Sequence, residues 1–323
     1  MEKEEKIEYQ KFNLEKKDAE EILARAGLGE VETISRCEEG MINDVYSING
    51  AYVLKVNSAH PLMPKLDREA AVYRAVGAYN IPVPKLYVNE TNKDLLGYPY
   101  ILLEQLPGKS LKKEWKELSQ TQKEEMMLTL GQLLGTIHTI GPEQISLDDQ
   151  SFNGDLRENI DTRIIKIGAD LRSSKVLDAL MIDRIERYYR ESNAFESNDV
   201  SPSLLHGNYV FGNIIISDGD VQGIVDWEWA RLGYSEEELA NVLYRGPGPT
   251  STMGIMDTGL LQKFREGYES VHPLSKGFEE RYLPYALLYY LSILPSAPQW
   301  THKPEKQKEY FDETHSLIEQ IGL

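Results

Sequence analysis

Apolar positions over residues 14–26 recur at helical spacing and stop at Gly27-Leu28-Gly29, which predicts a first helix with a glycine end. The pattern then changes to alternation over 31–36, 43–48 and 51–56. Asn49-Gly50 stands between the last two runs, a pair that predicts a tight hairpin turn. A second helix is expected over 66–78, starting near Asp67 and ending before Ile81-Pro82-Val83-Pro84, whose prolines forbid continuation. Two further strands fit 85–88 and 100–104. Beyond Pro107-Gly108 the spacing is mainly helical, over 119–139, 161–168 and 176–192, with strands only around Asn213 and Val221. Residues 281–294, rich in tyrosine and leucine, read as a buried helix. Strands that run first and helices that follow predict an α+β protein in two parts, 1–106 and 107–323, with a linker near 105–109.

Composition narrows the partners. A chain of 323 residues can bury a sizeable core, and its net charge of −17 would repel a phosphate backbone. Nucleic-acid binding is therefore not expected, and a small cationic partner is. No apolar run approaches the roughly 20 residues of a membrane span, and the N-terminus lacks a signal-peptide core, so no membrane association and a cytoplasmic location are expected. No feature implies a protein partner. Cys37 is the single cysteine and reads as a half-buried strand residue, and the histidines show no metal-ligand spacing.

The densest chemistry lies in Leu205-His206-Gly207-Asn208-Tyr209-Val210-Phe211-Gly212-Asn213, followed by Ile224-Val225-Asp226-Trp227-Glu228. This pattern resembles the aminoglycoside phosphotransferase and choline kinase-like family, whose fold is that of protein kinases. The resemblance covers about residues 30–245. It implies a two-lobed fold, with an N-terminal antiparallel sheet carrying one helix and a mainly helical C-terminal lobe. It also implies ATP or GTP as co-substrate and Mg²⁺ as cofactor. By the same resemblance Asn213 and Asp226 bind the metal, which prefers hard oxygen donors, and Lys55 contacts the nucleotide phosphates. Glu69 orients Lys55 through an ion pair. Glu104 and Leu106 supply main-chain contacts to the base, the turn Glu39-Gly40-Met41-Ile42-Asn43-Asp44 covers the nucleotide, and His206 is structural. Asp218 and Asp220 read as turn residues.

Asn208 departs from the family, which has a catalytic carboxylate at this position. An amide can orient an acceptor hydroxyl but cannot take its proton. Three readings stay open: a weak or base-independent kinase, a pseudokinase acting as a nucleotide- or ligand-binding module, and a deliberate Asp-to-Asn replacement. On the acceptor side, Asp218, Asp220, Asp226, Glu228, Glu236, Glu237 and Glu238 face only Arg231 within 217–239. That balance favours a cationic acceptor, and among the family's acceptors an aminoglycoside antibiotic leads. Glu228, Glu236 and Glu237 are the candidate acceptor contacts. Glu236 to Glu238 fit a solvated helix start equally well, and Trp227, Trp229, Tyr234 and Tyr244 fit core packing better than a pocket wall.

Overall fold

The computed structural model describes residues 12–37, 43–58, 65–147, 155–196, 200–246, 258–299 and 304–323. The expected covering turn at residues 39–44 lies largely outside them. The chain divides into two compact units, 1–111 with 212–230, and 112–211 with 231–323.

In the first unit, helix α1 (Lys16–Ala26) ends at Gly27 in the left-handed conformation, φ 69°. Strands β1 (Ile34–Cys37), β2 (Asp44–Ile48) and β3 (Tyr52–Val56) follow. Asn49 and Gly50 both have positive φ, 57° and 61°, the geometry that a two-residue turn between right-twisted strands requires. Helix α2 (Lys65–Val76) precedes β4 (Leu86–Glu90) and β5 (Tyr100–Glu104), and the five strands form one antiparallel sheet in the order β1-β2-β3-β5-β4.

The two faces of this sheet differ. Tyr46, Ile48, Leu54, Val56, Tyr100 and Leu102 pack into a core with Ala19, Ile22 and Leu23 of α1. On the other face Val45 pairs with Lys55, and Val45, Ser47 and Val53 stay only half-buried. Alternation along a strand explains the division: one residue set is spent on α1, and the other is left for chemistry. Cys37 is exposed on edge strand β1 rather than half-buried, because that strand has a neighbour on one side only.

The first unit also includes a hairpin from far along the chain. Strand β6 (Lys109–Ser110) pairs with β8 (Ile214–Ser217), which pairs with β9 (Asp220–Ile224) around a turn where Asp218 has φ 54°. The Ile224 N–H donates to the Pro82 carbonyl at 2.8 Å, and a Cβ on Gly223 would stand 2.5 Å from Leu106 Cδ1. These close approaches group residues 212–230 with the sheet, so the unit boundary is not the single cut near residue 106 that the strand-then-helix order suggested.

The second unit is mainly helical. It contains α3 (Leu111–Glu114, from Lys112 on), α4 (Gln120–Ile137), α5 (Leu156–Ser174), α6 (Ala179–Glu191), a two-stranded ladder of β7 (Pro202–Leu205) with β10 (Arg231–Tyr234), then α7 (Ser235–Arg245), α8 (Thr258–Glu269), α9 (Phe278–Ile293) and α10 (Pro304–Gln320). Helix α4 begins with the capping box of Ser119 and Gln122. It then packs on α8 backbone to backbone: a Cβ on Gly131 would stand 2.0 Å from the Phe264 carbonyl, and one on Gly267 equally close to that of Leu128. The short ladder and the full length of α5 were not legible in the periodicity. No helix among the described residues is long and apolar enough to cross a membrane.

Candidate active site

In the first unit, β3 carries Lys55 and α2 carries Glu69. Nζ of Lys55 donates to both Glu69 oxygens, at 2.9 and 2.7 Å, and to Asp226 Oδ1 at 2.9 Å. Tyr73, one turn after Glu69 on α2, donates its hydroxyl to Glu69 Oε1 at 2.9 Å and accepts the Asp226 N–H at 3.3 Å. Sequence reasoning did not reach Tyr73, although its i+4 spacing from Glu69 was a readable signal.

Asp226 sits in the left-handed region, φ 69° and ψ 56°, two residues after the end of β9. A non-glycine residue there carries strain that neighbouring contacts must hold. The Tyr73 bond is one such contact. Another acts one residue earlier, where the Val225 N–H donates to the Asn213 carbonyl at 2.9 Å and places Asn213 and Asp226 at the same end of the hairpin.

The charges of this trio are coupled. Burial disfavours the charged form of Lys55, but Glu69 and Asp226 outweigh it and raise the ammonium's pKa. Glu69 is itself pushed up by burial and by the charge of Asp226, against the pull of Lys55. Lys55 thus binds both carboxylates, and the Asp226 side chain remains 34% exposed.

Glu228 follows two residues later. It is buried rather than displayed toward an acceptor, and its Oε2 accepts from Asn43 Nδ2 at 2.9 Å. At the expected hinge, the Glu104 N–H is spent on the Lys85 carbonyl at 2.8 Å, so a main-chain contact from Glu104 falls to its carbonyl. Leu106 is half-buried against Gly223.

In the second unit, β7 leads into His206-Gly207-Asn208. The Glu238 carboxylate, on the first turn of α7, accepts the His206 N–H at 2.8 Å and the Gly207 N–H at 2.6 Å, and its Oε2 faces His138 Nε2 at 3.1 Å. Burial works against ionisation of Glu238, yet the His138 contact and the bonds around His206 hold its pKa below the usual carboxylate range. The Asn208 N–H donates to His206 Nδ1 at 3.2 Å, which makes that nitrogen the unprotonated one. Tyr209 then ties its hydroxyl to the Leu130 carbonyl at 2.9 Å. The half-buried Asn208 is therefore flanked by fixed backbone on both sides.

The other two glutamates of α7 are also taken. Glu236 accepts from Arg281 Nε at 2.8 Å, and Glu237 is gripped by Arg163 at 2.6 and 2.8 Å and by Arg231 at 2.6 Å. Their relative exposures of 2% and 3% rule out a solvated helix start. Both carboxylates are also spent on arginines, a correction to their reading as acceptor contacts. Trp227, Tyr234 and Tyr244 are buried as expected, but Trp229 is 45% exposed. Glu238, which sequence reasoning left among the undistinguished acidic residues, is the one of the three that reaches the His206–Asn208 segment.

Among the described residues no group of three or more His, Cys, Asp or Glu side chains is arranged to hold a metal. One carboxylate and an amide oxygen suit a cation that keeps most of its waters, as Mg²⁺ does. A model of the phosphotransferase enzyme family matches residues 33–274, three quarters of the chain. The chain belongs to the phosphotransferase enzyme family. Its relatives include acyl-CoA dehydrogenase family member 11 of Rattus norvegicus, 22% identical over 66% of this chain and 28% of the relative. The chain therefore spans little more than a quarter of such relatives. A probable ketoamine kinase of Enterococcus faecium is 24% identical over 78% of this chain and 84% of its own length.

Solved structures confirm the two-lobed kinase-like fold. The streptomycin–ATP complex of the aminoglycoside phosphotransferase APH(2'')-IIa matches with a TM-score of 0.66 at 14% identity, covering 95% of this chain and 97% of that one. The GDP and kanamycin complex of APH(2'')-IIIa matches at 0.64 and 14%, covering 93% and 96%.

Proposed function

We propose that this chain transfers the γ-phosphoryl group of ATP or GTP to a hydroxyl of a small cationic molecule. The observation that carries the reading is Lys55 held between Glu69 and a partly exposed, left-handed Asp226. Phosphoryl transfer asks a protein mainly to position and neutralise charge. Lys55 would hold phosphate oxygens, with Glu69 and Tyr73 fixing its ammonium. Asp226 and Asn213 would hold Mg²⁺, which supplies positive charge between nucleotide and protein when bound. The Glu104 carbonyl and the Leu106 main chain would meet the base.

Asn208 would orient the acceptor hydroxyl as a hydrogen-bonding amide. The solved neighbours bind streptomycin and kanamycin, and one relative is named for ketoamines. Aminoglycosides and ketoamines are both hydroxylated amines, which agrees with the net charge of −17. Since Glu236 and Glu237 are committed to arginines, recognition of the amine falls to other groups.

A second reading, a pseudokinase that binds nucleotide without turnover, is favoured by Asn208 itself. Nucleoside-diphosphate release from the chain and from Asn208→Asp, with ATP and GTP and a panel of aminoglycosides, macrolides, ketoamines and metabolic alcohols, separates the two. A kinase scaffold gives acceptor-dependent release that rises by about 10²- to 10⁴-fold in Asn208→Asp. Silence in both, with nucleotide still raising thermal stability, establishes the binding module.

A further inference from the structure

Asn43 lies at the entrance to β2, and its side chain is engaged on one side only. Its Nδ2 donates to Glu228 Oε2 at 2.9 Å, while its Oδ1 is buried and has no donor among the described residues. The residue is 9% exposed, so bulk water does not readily serve that oxygen. A buried acceptor without a donor is costly, and folded proteins seldom keep one without a use.

The surroundings indicate what completes it. Asp44 pairs with Val56, beside Lys55, and Lys55 binds Asp226, two residues before Glu228. The Asn43–Glu228 bond and the Lys55–Asp226 bond thus lie in one neighbourhood of the first unit, related by the β2–β3 register and by the two-residue step from Asp226 to Glu228. A nucleotide's phosphates bring acceptors, not donors. The waters of a bound Mg²⁺ are polarised donors, and Mg²⁺ keeps several of them.

We propose that Asn43 is a positioning residue for the metal–nucleotide complex: its amide nitrogen fixes Glu228, and its amide oxygen accepts a hydrogen bond from a water of the Mg²⁺ shell. The proposal rests on the phosphotransferase reading above. It makes the Asn43–Glu228 bond an outer brace for the Asp226 turn, opposite in sequence to the brace from Tyr73. Groups that orient metal ligands in this way alter metal affinity about 10- to 100-fold when removed.

The test is the Mg²⁺ requirement for ADP binding, read by calorimetry and by the ADP-dependent shift in melting temperature, in wild type and Asn43→Ala. The expected result is an Mg²⁺ requirement raised at least about tenfold, with metal-free ADP binding unchanged. Equal losses with and without Mg²⁺ overturn the proposal, since they describe a brace without a metal role, and so does no loss at all. If wild type binds no nucleotide under any condition, the phosphotransferase reading falls first and this one with it. Should Asn43→Ala not fold, the double variant Asn43→Asp/Glu228→Gln decides. It keeps the bond with donor and acceptor exchanged and leaves a carboxylate oxygen toward the metal shell. Its Mg²⁺ requirement should equal or fall below that of wild type, and a tenfold increase overturns the proposal.

Discussion

Two buried acidic clusters in this protein look alike in sequence and differ in electrostatics. Around Lys55, one ammonium faces two carboxylates, and the Asp226 side chain keeps 34% of its surface exposed. At the start of α7, Glu236, Glu237 and Glu238 are each matched within the second unit, by Arg281, by Arg163 and Arg231, and by His138 with two backbone N–H groups. A cluster whose charges are closed by the fold is scaffolding, because nothing remains for a ligand to satisfy. The Lys55 cluster instead keeps part of one carboxylate, that of Asp226, at the surface.

The largest expected effect comes from the open cluster. In the Asn208→Asp background, Asp226→Ala should abolish nucleoside-diphosphate release, with little change in thermal stability, because the remaining Lys55–Glu69 pair is balanced. Retained turnover would sink the assignment of Asp226 as metal ligand.

The closed cluster should show the opposite profile. Glu237→Ala leaves Arg163 and Arg231 without their shared carboxylate, and breaking such a buried pair costs about 3–5 kcal/mol. Urea unfolding measures that loss. If Glu237→Ala changed nucleotide binding and left stability intact, the division between site and scaffold would be wrong.

A smaller effect follows from pH. Burial alone would raise the Glu237 pKa, but the two arginines depress it to about 2. A depressed carboxylate stabilises the fold above its unfolded value of about 4.5, and that contribution is lost as pH falls from about 4.5 toward about 2. It amounts to about 3 kcal/mol. Glu237→Gln should therefore flatten the acid limb of the stability curve in that window. An unchanged acid limb would show that the arginines do not hold the carboxylate as the geometry implies.

Least affected should be Trp229→Ala. The ring is 45% exposed, so its removal should cost about 1 kcal/mol, less than the loss of the buried Glu237 contacts. Comparison of its acceptor KM with that of the parent in the Asn208→Asp background shows whether this exposed ring meets the acceptor; an unchanged KM removes it from consideration.

Much of the N-terminal sheet was legible because its signals are local. The Asn49-Gly50 turn, the proline stop after α2 and the period-two alternation all act within a few residues. The ladder of β7 with β10 was not, since four-residue strands have too little periodicity to separate from loops and their pairing joins Pro202–Leu205 to Arg231–Tyr234. The motif residues stood out through their resemblance to a known family, but the side chains around them were less visible. Tyr73 could be reached by helical phase from Glu69. Glu238 could not be told from Glu236 and Glu237, because three adjacent glutamates on a helix start look the same until the helix is docked.

By itself, the sequence determined the α+β class and the order of strands before helices, which depend on local periodicity, and it carried the family resemblance in the segment from His206 to Asp226. Tertiary structure alone decided which charges would be closed and which left open. Helical phase sends the three α7 glutamates to different partners, and the hairpin of β8 and β9 pairs with the two-residue β6, a hundred residues earlier. The bond from Asn43 to Glu228 spans 185 positions, a distance over which no local pattern carries information. Burial and partner identity set the role of a carboxylate, and both are properties of the packed chain.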